Sequence, residues 1–167
     1  WLFSTARLSN TSAGMYFVTI CVQNRDLLFG NVIDDMLDLN EAGQMVRTVW
    51  ESLPERFPNI EMDEFVVMPN HFHGILVIHN PAPADGNNVG VPRVGIQNRA
   101  STRERASTKD APTLGEMVGA FKSITTHQYI QGVRHSGWPS FDGRLWQRNY
   151  WEHIVRNDES LTKHPPA

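Results

Sequence analysis

The sequence holds a single cysteine, Cys21. That excludes an intramolecular disulfide and any zinc or iron–sulfur centre built from several thiolates. No run of about 18 apolar residues occurs, so no transmembrane helix is written into the chain and no membrane partner is expected. The opening stretch, WLFSTARLSN, has no basic region leading into an apolar core, so no secretory signal is expected either. Positive charge is not in excess: 15 Lys and Arg stand against 18 Asp and Glu, a formal net charge of -3. The balance reverses by one charge over 113–167 and most strongly within 89–110, where Arg93, Arg99, Arg103, Arg105 and Lys109 meet just Glu104 and Asp110. A patch of this kind can attract a polyanion to an otherwise acidic protein. What is present is ordinary: 167 residues, 40% hydrophobic and 20% charged, enough for one domain with a core and too few for two. A single cytoplasmic domain over 1–167 is the expectation.

Periodicity divides the chain. Met15–Val22 is β-branched and aromatic and reads as a strand. From about Asn40 to Arg56, apolar residues recur at helical spacing through Leu39, Ala42, Met45, Val46, Val49, Trp50 and Leu53, with Asp38 or Asn40 as cap. Pro54 and Pro58 bracket the end of that helix. Strands are predicted at Glu61–Met68 and His71–His79, and the two-residue Pro69-Asn70 link makes them antiparallel neighbours. At 80–112 the pattern dissolves into Pro, Gly, Asn, Ser and Arg, which reads as a flexible insert. Thr113-Leu114-Gly115-Glu116 matches a capping box and opens a second helix. Leu145–Val155 reads as a final strand. The fold class expected is α+β, a ferredoxin-like or RRM-like sandwich with helices packed on a mostly antiparallel central sheet.

Chemistry concentrates at His71-Phe72-His73, directly after Met68-Pro69-Asn70. Residues i and i+2 of a strand project to one face, so both imidazoles point the same way, about 7 Å apart by strand rise. Such a pair can converge on one metal ion. A bland alternative is two half-exposed histidines at a strand end.

The segment Met68-Pro69-Asn70-His71-Phe72-His73-Gly74 resembles the HUH motif of single-strand DNA transposases that use one tyrosine, especially the REP-associated tyrosine transposases. Three further blocks are similar to the same group: Tyr16 to Arg25 (YFVTICVQNR), Val118 to Ser123 (VGAFKS) and Leu145 to Ile154 (LWQRNYWEHI). The resemblance runs from about Thr5 to Leu161, apart from the insert. It implies that His71 and His73 hold a divalent ion, Mg²⁺ or Mn²⁺, against a scissile phosphate. It further implies a tyrosine that attacks phosphorus to give a 5′-phosphotyrosine, on single-stranded DNA with hairpins. In that family the segment like 153–161 leads into a helix carrying Tyr-Ile-x-x-Asn-Pro, which supplies nucleophile and third ligand. Here the sequence closes on Thr162-Lys163-His164-Pro165-Pro166-Ala167 without that tyrosine. The expectation is half a metal site lacking its nucleophile.

Tyr129 and Tyr150 are the weak substitutes for that nucleophile, since Tyr16 reads as core. His153 is a conceivable third ligand against a structural reading, and His79, His127, His135 and His164 read as surface or structural. Lys122, Arg148, Asn149 and Arg156 are the candidate DNA contacts, with solvated surface charge as the plainer alternative. Trp138, Trp146 and Trp151 could stack on bases or be buried. Three functions compete. One is a transposase-type nickase and ligase, another is a module that binds single-stranded or hairpin DNA uncut. The third is a metal-dependent hydrolase using His71, His73 and Asp63 or Glu64. Monomer and homodimer are equally open.

Overall fold

The computed structural model describes residues 13–79 and 112–155. The insert expected at 80–112 lies outside the described residues except for Pro112, and Arg156 lies outside them altogether. Among the described residues, strand β1 (Gly14–Cys21) leads through a short 3-10 turn into a hairpin of β2 (Gly30–Ile33) and β3 (Met36–Leu39). Helix α1 (Glu41–Arg56), strands β4 (Ile60–Met68) and β5 (His71–Ile78), helix α2 (Leu114–His135) and strand β6 (Trp151–Val155) follow. The main sheet has four strands in the order β4-β5-β1-β6, with every neighbouring pair antiparallel. Setting the hairpin aside, the succession is β-α-β-β-α-β, and this order is the ferredoxin-like sandwich the pattern predicts.

Local chemistry explains both helix starts. Asn40 accepts from the Gly43 N–H at 2.9 Å. Thr113 and Glu116 form the full capping box, satisfying two otherwise orphaned N–H groups. Both helices lie on one face of the sheet, where Phe72 packs against Trp50 of α1 and Phe121 of α2. Strand alternation does the sorting. Tyr16, Val18 and Ile20 are buried beneath the helices with Phe72, Leu76 and Ile78, while Phe17, Thr19, His71 and His73 fall on the opposite, outer face. Gly74 belongs to the helix side, where a Cβ would stand 2.6 Å from the Trp50 ring. Its lack of a side chain is what lets α1 approach so closely.

Helix α1 ends at Arg56, as the spacing predicts, and Pro54 sits within its last turn. Proline removes only its own N–H, and Phe57 N–H still donates to Leu53 O. Two readings of the sequence differ from the structure. Leu145–Val155 is not one strand. Trp146 turns into the core and pairs with Val22, just past β1, in an isolated bridge, and regular pairing starts at Trp151. The β2–β3 hairpin has no counterpart in the reading of the sequence. Its turn places Asp34 and Asp35 at φ 50° and 61°, a conformation that Asp tolerates without glycine.

Candidate functional site

Cross-strand register assembles the site. His73 is paired with Val66 on one side and Thr19 on the other, and Thr19 is paired in turn with Trp151. One row therefore crosses all four strands, Val66–His73–Thr19–Trp151. The adjacent row places His71 between Met68 and Cys21. The two imidazole rings stand edge to face with centroids 4.6 Å apart.

Each ring has a partner at Nδ1. The His71 nitrogen is 2.7 Å from Asn70 Oδ1, and Asn70 Nδ2 donates to Arg25 O at 3.3 Å. The second bond assigns the amide orientation, so His71 Nδ1–H donates and the lone pair is left on Nε2. Thr19 Oγ1 lies 2.8 Å from His73 Nδ1 and can accept from it in the same sense. Burial, then the nearby positive charge of Arg25, lowers the His71 pKa below the usual imidazole value. Both effects keep the ring neutral, the form that coordinates metal. The pair thus fits two positions of a divalent ion. Among the described residues no third His, Cys, Asp or Glu completes a cluster. His153 shares the outer face but stacks on Trp151 two strands away, while Asp63 and Glu64 line a groove beside β4 with Leu37 and Arg47.

The tyrosines are elsewhere. Tyr129 is fully buried and donates to Pro139 O at 2.9 Å, and burial pushes its hydroxyl up to about 12. Tyr150 lies close to Gly115 at the start of α2. Burial, with the Glu152 carboxylate beside it, also pushes Tyr150 up to about 12. Tyr16 is core, as expected. Lys122 is committed to the chain itself: Nζ donates to the carbonyls of Gln147, Arg148 and Asn149 at 2.9, 3.2 and 3.3 Å. Burial lowers its pKa. Arg148 and Asn149 are exposed, and Arg148 lines a groove along α2 with Ser123, His127, Arg144 and Gln147. Thr19, Asn70 and Arg25 join the candidate site residues only in the folded protein. Thr19 and Arg25 enter through register and loop packing, although Asn70 had a local signal as the residue before the pair, and Trp151, a candidate for base stacking, lies in the His73 row.

Comparison with known proteins agrees with this architecture. No protein-family model matches the chain. An uncharacterized protein of Haemophilus influenzae is 38% identical over 149 residues, covering 89% of this chain and 74% of that protein. A second protein of that organism, named “Putative REP-associated tyrosine transposase”, is 24% identical over 161 residues, covering 96% of this chain and 71% of that protein. The solved structure of a REP-associated tyrosine transposase bound to a REP hairpin superposes with a TM-score of 0.54 at 19% identity, over 95% of this chain and 66% of that one. The chain is similar to the REP-associated tyrosine transposases in sequence and in fold. A crystal structure of a putative transposase from Deinococcus radiodurans shares the fold, with a TM-score of 0.53 at 12% identity, over 96% of this chain and 90% of that one. The chain spans just under two thirds of the length of the hairpin-bound protein. Among its described residues no helix is long and apolar enough to cross a membrane.

Proposed function

We propose that this transposase-like chain binds single-stranded DNA with hairpin structure and holds a Mg²⁺ or Mn²⁺ ion on His71 and His73 against one phosphodiester. The observation that carries the reading is the placing of two half-buried imidazoles 4.6 Å apart on one sheet face, with Asn70 leaving His71 Nε2 as the coordinating atom. The REP hairpin in the related structure supports the choice of DNA. When bound, the ion neutralises charge on the non-bridging phosphate oxygens. The chain's own part is orientation. Asn70 and Thr19 fix the two rings through Nδ1, a carboxylate-free version of the outer support that metal-binding histidines need. Arg25 brings positive charge beside His71, where a phosphate would approach.

Strand cleavage through this site needs a tyrosine hydroxyl to attack phosphorus, forming a 5′-phosphotyrosine and expelling a 3′-hydroxyl. Tyr129 and Tyr150 are both held protonated by burial and both lie away from the histidines. Their placing favours binding without cleavage for these 167 residues. The test is incubation of the chain with a labelled single-stranded hairpin and Mn²⁺. Retarded, uncut DNA supports the reading, and loss of Mn²⁺ dependence in His71→Ala or His73→Ala supports the metal site. A covalent protein–DNA adduct would instead establish cleavage by a tyrosine of this chain. Turnover without an adduct would establish a hydrolase.

A further inference from the structure

We infer that Trp151 is the stacking platform for one unpaired base of the bound strand, seated beside the histidine pair on the same sheet face. This rests on the single-stranded DNA reading above and adds to it the residue that grips a base. The sequence offers three tryptophans near the candidate site blocks, and the structure separates them. Trp146 is 4% exposed and its Nε1 donates to Thr125 Oγ1 at 2.8 Å, so it is core. Trp138 packs over Gly132, and its Nε1 donates to Glu41 Oε2 at 2.9 Å, which makes it a brace between α2 and α1. Trp151 alone of the three is 48% exposed, on a strand.

Its neighbours make the exposed ring a prepared surface. Beside it along β6, His153 lies nearly parallel, with centroids 5.8 Å apart and planes 11° off. Phe17 meets it edge-on at 5.9 Å and itself stacks on His73 at 5.4 Å. Four of these rings form a continuous path, His73–Phe17–Trp151–His153, and His71 joins it at the far end. A ring braced by a parallel and an edge-on neighbour holds its orientation, so a stacking ligand pays little to order it. Trp151 also shares the cross-strand row of His73 through Thr19, two strand spacings or roughly 10 Å away. A phosphate at the histidines would therefore put an adjoining base within reach of the indole.

The chemistry points to a nucleobase over a protein segment. The ridge itself is made of aromatic and imidazole rings, whose flat faces match the flat face of a base. Every base offers a π-face, which makes such a platform tolerant of sequence. Paired bases in a duplex are already stacked on one another, so the platform selects single strand.

The experiment measures binding by fluorescence anisotropy of a hairpin with a short unpaired tail, using the full chain with Mn²⁺. Trp151→Ala is expected to weaken binding about 5- to 100-fold, the usual effect of losing one base–aromatic stack. Trp151→Phe should lose less. One abasic position in the tail should weaken the unaltered chain but leave Trp151→Ala indifferent, while Mn²⁺ titration of Trp151→Ala without DNA stays unchanged. Circular dichroism checks that the variants fold, and Trp151→Phe carries the test if the alanine variant does not. Binding by Trp151→Ala within twofold of the unaltered chain would overturn the platform while leaving the DNA reading intact. Failure of the unaltered chain to bind any hairpin would overturn both.

Discussion

Thr19 and His73 are 54 residues apart in sequence, yet they are Cα partners across β1 and β5, with Thr19 Oγ1 2.8 Å from His73 Nδ1. The bond sets which nitrogen of His73 faces the outer side of the sheet. Because the two residues belong to central strands, the ladder itself holds the histidine's support in place.

Removing that support should cost metal affinity before it costs stability. Thr19→Val keeps the shape and β-propensity but cannot accept from Nδ1. We expect Mn²⁺ affinity to fall about 10- to 100-fold, measured by calorimetric titration, with Thr19→Ser restoring most of it. Asn70→Ala should act similarly through His71. Unchanged affinity in both variants would show that the rings are oriented by packing alone.

Tyrosine ionisation should be abnormal. Tyr129 and Tyr150 are held at about 12 and Tyr16 is also raised, in each case chiefly by burial. In the unfolded chain these groups ionise near 10. Between about pH 10 and 12 the native state thus binds more protons than the unfolded one, and stability falls as pH rises through that window. Ultraviolet difference titration should find little tyrosinate in the folded protein below about pH 11. Full ionisation near 10 without unfolding would contradict the buried placement.

Gly74 and Gly119 make a matched pair. At Gly74 a Cβ would press on the Trp50 and Phe72 rings at 2.6 and 2.8 Å. Gly74→Ala should therefore cost about 1–3 kcal/mol through overpacking. At Gly119, inside α2, nothing lies within 4 Å of the added methyl, and alanine there should stabilise by about 0.5–1 kcal/mol. Urea denaturation of both variants checks the opposite signs.

Lys122 and Arg148 should separate structure from DNA contact. Lys122→Met leaves three carbonyls of the 147–149 loop without their donor, and we expect a loss of about 1–3 kcal/mol. Arg148→Ala, on the exposed side of that loop, should change stability by less than about 0.5 kcal/mol. Its effect should fall on hairpin affinity, reducing the salt dependence by about one counterion. Equal stability losses in the two variants would refute the division.

Helices, caps and the β4–β5 hairpin were legible in the sequence because they depend on neighbours along the chain. Asn40 and Thr113 cap where the pattern predicts, and Pro69-Asn70 joins antiparallel strands. The placing of His71 and His73 on one face follows from strand alternation alone. The break before Trp151 was not legible, since it arises from Trp146 seeking Thr125 and from Lys122 drawing three carbonyls out of the ladder. Nor was the β2–β3 hairpin, whose apolar Val32, Ile33 and Met36 are exposed rather than alternating with a buried face.

Local spacing thus determined the two helices, the β4–β5 pair and that two imidazoles share a side. Register decided the rest: that Thr19 supports His73, that Trp151 ends the same row, and that Tyr129 and Tyr150 lie away from it. The physical reason is that a one-residue slip between antiparallel strands sends every side chain to the other face. Only burial of a whole face beneath α1 and α2 selects among such slips, and that burial exists only in the folded molecule.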